Sequence, residues 1–258
     1  QRIREGSQEH SAFSPTGTDN FHNVMKFATF YDGNSFEFDH GDPESDFLEA
    51  IRVAADFSRT GKKEEALSAY IAAADGKFTD LQKSHALEVA AAIARGLRRS
   101  DVAEELASRI PIDAVKKSVQ MQSLLDKAKA GEVVAQFGKE DIGAWPFWKR
   151  GDGYFARGRA HVIAKMGREA EADLASALEW SSDARLRDSI LLYLGQNSEN
   201  NLGDEEGAMK RYHEIIDHQR QLGSSDQFYA VQGISRILTK RKEFDQALAI
   251  LRTVDADR

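Results

Sequence analysis

Residues Gly61–Tyr70, with the sequence GKKEEALSAY, contain the pattern that decides the fold. A related pattern returns as GDEEGAMKRY at Gly203–Tyr212 and, more loosely, as KEFDQALAIL at Lys242–Leu251. In each copy an Ala follows the turn region, and a large apolar residue follows that Ala four positions later. Repeats of this kind build stacked arrays of helices, because one unit cannot bury its apolar face alone. The sequence therefore predicts an all-α fold of repeated helix pairs.

The helical body, residues 46–258, divides into units, and each unit has a small residue near its centre. The central residues of neighbouring units are separated by 37, 38 or 39 residues, and one larger gap of 67 residues has room for two units. We therefore place a degenerate third unit at residues 114–148, which gives about six antiparallel helix pairs. The fifth unit contains one extra residue between its glycine and its alanine. The central residues are Ala66, Ala103, Ala170, Ala208 and Ala247.

The first unit combines small residues, Ala54 and Ala66, with large ones, Phe57 and Tyr70. Small residues let two helices approach closely, and large residues fill the space between adjacent turns. The arrangement resembles the tetratricopeptide repeat (TPR). The resemblance implies a right-handed superhelical solenoid of antiparallel helix pairs, and it implies that the concave face of the array binds a protein or peptide segment.

The resemblance also implies which side chains line the concave face, because in TPR proteins that face is formed by the first helix of each pair. Their charges predict a mildly basic end of the groove, which suits an acidic segment or a C-terminal carboxylate. We expect Arg159, Arg236 and Lys240 to face one cavity, and Glu205 and Glu206 to begin an outer helix away from that cavity. The groove residues that carry over by motif position are Phe155, Arg159, Gln196, Asn200, Gln232, Arg236 and Lys240, with the more apolar Ile51, Ala55 and Arg59 in the first unit.

The sequence Trp145-Pro146-Phe147-Trp148 is the densest aromatic feature of the helical body. One interpretation is structural: Pro146 begins a helix, and the indoles fill the joint left by the degenerate third unit. The other is functional, with Trp145 and Trp148 lining an aromatic pocket for a peptide or a sugar. The structural interpretation is favoured.

Residues 1–45 form a separate acidic, aromatic-rich arm. They hold seven of the 23 aromatic residues of the chain, and residues 1–46 have three Lys or Arg against nine Asp or Glu. The sequence Asp32-Gly33-Asn34 lies between two aromatic runs and predicts a β-hairpin or an extended arm that packs on the first helix pair. An alternative is that the arm occupies the groove of the array or belongs to an upstream domain.

Composition excludes several classes of function. The net charge is −7 and no basic cluster dominates, which argues against a nucleic-acid partner. There is no Cys, and no apolar run approaches the length of a membrane helix. The chain begins at Gln1 without a Met, which predicts that an upstream segment was removed; the residues do not decide between a cytoplasmic and an exported protein.

No pattern of catalytic residues is present, and we expect no catalytic residue, no metal and no cofactor. His161 occupies a packing position of the fourth unit, so we expect a buried core histidine there. The sequence thus predicts a non-catalytic scaffold that binds a protein or peptide. The alternative is an accessory or C-terminal domain of a larger enzyme, cytoplasmic or exported. A third interpretation, self-assembly, depends on how much apolar surface the last unit exposes.

Overall fold

A computed structural model describes residues 43–181, 184–219 and 225–255, which form twelve α-helices and contain no strand. The all-α prediction is therefore confirmed for these residues, whereas the predicted arm lies outside them except at its last three positions. A short 3₁₀ helix, Ile142–Ala144, and a π-helical segment, Ser198–Leu202, complete the structure. The helices are α1 Pro43–Arg59, α2 Lys63–Asp75, α3 Asp80–Gly96, α4 Ser100–Arg109, α5 Asp113–Asp126, α6 Ala130–Phe137, α7 Phe147–Ile163, α8 Gly167–Glu179, α9 Ala184–Asn197, α10 Glu205–Gln219, α11 Ser225–Lys240 and α12 Phe244–Asp255.

The helices pack in chain order as six consecutive pairs, α1–α2 to α11–α12, and each pair contacts the next. In addition, α3 contacts α5, α5 contacts α7, α7 contacts α9, and α9 contacts α11. The first helices of the second to sixth pairs therefore form one continuous layer. This layer is the face on which the sequence places its candidate groove.

One connection is repeated in all six pairs. A residue with positive φ ends the first helix of each pair, and two of these residues are glycines, Gly61 and Gly203. In five pairs the next N–H donates to the carbonyl five residues earlier, as Lys62 does to Phe57 at 2.9 Å. This is the hydrogen bond of the Schellman C-cap, which satisfies a carbonyl that the helix leaves free. The other four residues with positive φ are Arg98, Ala128, Lys165 and Lys242.

The fifth pair differs by one residue. There the N–H of Asp204 donates to the carbonyl of Ser198 at 2.8 Å, six residues earlier, across the π-helical segment. A π-helical turn accommodates one additional residue without breaking the helix. The segment therefore absorbs the extra residue that the sequence shows between Gly195 and Ala208.

The predicted small positions are buried, and each lies five residues after the residue with positive φ. This register identifies Val133 as the equivalent residue of the third pair, where it is fully buried. The third unit is therefore regular in its turn and carries a valine in place of alanine. The register also shows that Lys165, not Gly167, occupies the turn position of the fourth pair, since Gly167 is the first residue of α8.

The apolar core follows the stack as three clusters of buried side chains. One cluster joins α1 to α5, a second lies between α5 and α7, and a third extends from α7 to α12. Ile112 contacts the first two clusters and Tyr154 contacts the last two. Because every cluster is shared by several helices, no pair is buried without its neighbours.

Candidate functional site

An open depression of about 430 Å³ lies over α7, α9 and α11, the first helices of the last three pairs. It contains three of the seven predicted groove residues, Phe155, Arg159 and Gln196. Each helix contributes side chains that are one or two turns apart, so they share one face of the helix. The remaining lining residues are Ser189, Leu192, Tyr193, Asp226 and Tyr229.

The Arg159 side chain is held between two aromatic rings. Its guanidinium carbon lies 5.4 Å from the ring centre of Phe155 and 5.1 Å from that of Tyr193, and the two rings pack edge to face at 5.7 Å. Cations over aromatic faces are stabilised by the ring quadrupole. One Nη donates to the Oε1 of Gln122 on α5 at 3.0 Å. These contacts fix the position of the guanidinium.

No carboxylate in the described part of the chain forms an ion pair with Arg159, and its Nε is buried without a hydrogen-bond partner. By contrast, the neighbouring Arg157 donates to both carboxylate oxygens of Asp173, at 2.8 and 2.7 Å. A guanidinium has five N–H donors in a planar fork that matches a carboxylate. Arg159 therefore retains the capacity to bind an anionic group that enters the depression.

The α11 side of the depression is different in character. Asp226 accepts a hydrogen bond from the hydroxyl of Ser189 on α9 at 2.7 Å, and Tyr229 is about half exposed. The Tyr229 ring packs edge to face on Phe228 with ring centres 5.7 Å apart. The depression thus combines a cationic end at Arg159 with an aromatic and acidic end. Such an arrangement favours one orientation of an extended ligand.

The other predicted groove residues do not line this depression. Asn200 lies exposed in the π-helical segment, and Gln232 is exposed on α11. Arg236 donates to both carboxylate oxygens of Glu199, at 2.6 and 2.7 Å. This pair neutralises most of the charge that Arg236 was expected to offer a ligand.

Lys240 pairs with Glu205 at 2.5 Å, and Arg241 pairs with the same carboxylate at 3.0 Å. Hydrogen bonds from Lys240 and Arg241 lower the pKa of Glu205 below its ordinary value. Glu205 begins the second helix of its pair, α10, as predicted, and neither Glu205 nor Glu206 lines the depression. The ion pair of Glu205 with Lys240 was not predicted, because it joins residues 35 positions apart in neighbouring pairs, which sequence spacing does not reveal.

The three residues predicted for the groove in the first unit differ in exposure. Ile51 is buried in the core cluster of the first three pairs, whereas Ala55 is exposed. Arg59 is exposed and lies 3.3 Å from Asp56 in a surface ion pair. Of the three residues predicted for the groove in this unit, Ala55 and Arg59 are exposed.

The two tryptophans of the aromatic motif lie in different cores. Trp145 is buried, its indole N–H donates to Glu140 at 3.1 Å, and its ring lies against the backbone of Gly153. Trp148 packs against the first core cluster. The structural interpretation of this motif agrees with these contacts, since the two rings do not share one pocket.

His161 is buried, as its position in the repeat predicts, and its Nδ1 lies 3.0 Å from an oxygen of Asp173. Burial alone would raise the pKa of Asp173, but the nearby His161 and Arg157 outweigh burial and hold that pKa below its ordinary value. Across the described ranges no group of three or more His, Asp or Glu side chains has the geometry to hold a metal ion.

Sequence reasoning missed four polar or aromatic lining residues: Ser189, Tyr193, Asp226 and Tyr229. A signal for two of them was present, because Ser189, Tyr193 and Gln196 follow one another at intervals of four and three residues. On a helix this spacing places all three on one face. Asp226 gave no such signal, since it lies before the first motif residue of its unit.

Comparison of the chain with protein-family models, with curated proteins and with solved structures finds no match in any of the three. Among the described helices, none has the length and apolar composition to cross a membrane. The function is therefore argued from the depression itself.

Proposed function

We propose that this protein is a non-catalytic, TPR-like scaffold, and that it binds a peptide segment of a partner protein in the depression over α7, α9 and α11. The observation that carries the proposal is Arg159. It is held between two aromatic rings in the lining of an open depression, and it has no carboxylate partner within the described residues.

The repeated turn and the continuous layer of first helices support a solenoid, since both recur from pair to pair. In a solenoid whose pairs rotate in the same sense, the first helices form a concave surface. We infer the right-handed superhelix on this basis and on the small and large residues that resemble the TPR motif.

The chemistry of the depression selects the ligand. A carboxylate of the peptide, at its C-terminus or on an acidic side chain, would receive charge-assisted hydrogen bonds from Arg159. Adjacent apolar or aromatic side chains of the peptide would pack on Tyr193, Leu192 and Tyr229. Gln196 offers an amide donor and acceptor to the peptide backbone.

A peptide array tests the proposal. We expect hits among peptides that carry a free C-terminal carboxylate or internal acidic residues, and the hits are then titrated by fluorescence anisotropy. Arg159→Ala should weaken binding by about tenfold or more, because a charged hydrogen bond contributes about 1.5–3 kcal/mol. Binding should also weaken with salt, since exposed charges are screened over about 8–10 Å.

Arg187→Ala is the matched control, because Arg187 is an arginine of α9 that pairs with Glu214 and does not line the depression. It should leave peptide affinity unchanged. Arg236→Ala tests the other basic residue of the groove prediction and should have a smaller effect than Arg159→Ala, since Glu199 already neutralises Arg236. Equal binding by the parent and Arg159→Ala for every peptide would overturn the proposal.

A further inference from the structure

The last helix, α12, has an apolar stripe that nothing in the described structure covers. Phe244, Leu248 and Leu251 are 57%, 52% and 41% exposed. They follow at intervals of four and three residues, so they form one face of the helix. The adjoining flank of α12 packs on α11 through the buried Ala247.

Two unpaired charges flank the stripe. Asp245 and Arg252 are both exposed, and neither takes part in an ion pair within the described residues. They are seven residues apart, which on a helix of 3.6 residues per turn places them on the same flank of the stripe, about 10 Å from each other along the axis. That distance is too long for an ion pair within one helix.

We propose that α12 pairs with α12 of a second copy of this chain, antiparallel and about a two-fold axis that passes near Leu248. On such an axis Leu248 meets Leu248 of the second copy, and Phe244 meets Leu251 of the second copy. The same two-fold rotation brings Asp245 opposite Arg252 of the second copy, and Arg252 opposite Asp245 of the second copy. A symmetric contact of this kind requires a self-complementary surface, and the order of charges along α12 satisfies that requirement.

The charge order is what selects a second copy over another occupant. An apolar segment of any kind could cover Phe244, Leu248 and Leu251. An antiparallel α12 supplies, from the same sequence, a cation opposite Asp245 and an anion opposite Arg252. Because electrostatic complementarity fixes register and suppresses wrong partners, the two charges would also set the helices in this alignment.

Sedimentation velocity tests the proposal. One helix per copy gives a contact at the small end of stable interfaces, so the mean mass should rise between about 5 and 200 µM protein. Leu248→Glu should keep the chain monomeric over this range. Leu248 is exposed, so the variant should retain its helical circular dichroism. Leu81→Glu, at an exposed apolar residue of α3, is the control and should dimerise like the parent.

A charge exchange tests the alignment. Asp245→Arg alone and Arg252→Glu alone each place like charges opposite one another and should weaken dimerisation at low salt. The double variant with both changes should restore it. A parent that stays monomeric at every concentration, or a double variant as weak as the single ones, would overturn the antiparallel pairing.

Discussion

The ring of Tyr212 lies between two helix backbones and shows how single residues set the spacing of the stack. A Cβ atom at Gly195 on α9 would lie 2.4 Å from the ring, and one at Gly233 on α11 would lie 2.5 Å from its other edge. The ring is fully buried and belongs to α10. It therefore fills the gap between α9 and α11, the first helices of two neighbouring pairs. Its hydroxyl donates to Glu199 at 3.0 Å, so the polar end is satisfied as well.

Gly195→Ala should lower the free energy of unfolding by about 1–3 kcal/mol, because the added methyl group overpacks a rigid ring that cannot move aside. Urea denaturation followed by circular dichroism measures the change. Gly131→Ala in α6 is the control. A Cβ there meets nothing within 4 Å, so alanine should be neutral or stabilise the helix. Equal loss in both variants would contradict close packing at Tyr212.

At the scale of elements, the spacing of small residues was enough to predict six helix pairs and the extra residue of the fifth. The π-helical segment was not predictable, because the sequence shows that a residue is inserted but not which hydrogen bonds lengthen to absorb it. The position of Val133 in the repeat was not predicted, because the repeated pattern has a small Ala there and Val133 is larger. The turn hydrogen bonds, which depend on backbone conformation, identify it.

The candidate site was predicted only in part, because motif position fixes the helix face of a residue but does not reveal its partners in neighbouring units. Phe155, Arg159 and Gln196 lie together because motif position fixes the helix face. Arg236 and Lys240 were predicted on the correct helix, but their carboxylate partners lie 37 and 35 residues away. Ion pairs between neighbouring units depend on the rotation of one pair against the next. No spacing within a single repeat contains that information.

The pair α7–α8 is joined by the buried group Arg157, His161 and Asp173, and its stability should depend on pH. The pKa of Asp173 is lower in the folded chain than in the unfolded one. The ionised carboxylate of Asp173 therefore adds to the free energy of unfolding above the unfolded pKa of about 4. This stabilisation is lost as the pH falls through the folded pKa. Asp173→Asn should cost about 3 kcal/mol at pH 7, and the difference from the parent should shrink below about pH 4.

Urea unfolding between about pH 3 and 7 measures this difference directly. Glu214→Gln is the control, since the pair of Glu214 with Arg187 is exposed and should contribute less than about 1 kcal/mol. A cost of Asp173→Asn that stays constant across the pH range would show that the ionised carboxylate is not what stabilises the pair.

At the scale of the whole molecule, Lys149 connects pairs that are not neighbours in sequence. Its side chain is buried at the start of α7 and bonds both Glu88 of α3 and Asp152, the latter at 2.5 Å. Burial alone would lower the pKa of Lys149, but the carboxylates of Asp152 and Glu88 outweigh burial and hold it above its ordinary value. The amino group is thus charged, and it joins the second pair to the fourth across the short third pair.

Lys149→Met should uncouple the first pairs of the stack from the pairs that begin with α7, because it leaves the carboxylates of Glu88 and Asp152 without their cation. We call this contact between α3 and α7 the joint. Removal of one partner of a buried pair costs about 3–5 kcal/mol, and in a stacked array a weak interface separates the unfolding of its two sides. All three tryptophans, Trp145, Trp148 and Trp180, lie at or near the start of α7, so their fluorescence reports on this joint. Circular dichroism reports on all the helices.

In the parent, both signals should show the same midpoint in guanidinium chloride. In Lys149→Met the fluorescence midpoint should fall below that of circular dichroism, since the joint opens while outer pairs remain helical. Lys127→Met, which breaks a more exposed pair with Glu104 between α4 and α5, should leave the two midpoints together. If Lys149→Met lowers both midpoints equally, the ion pairs stabilise the stack as one cooperative unit and do not act as a joint between two halves.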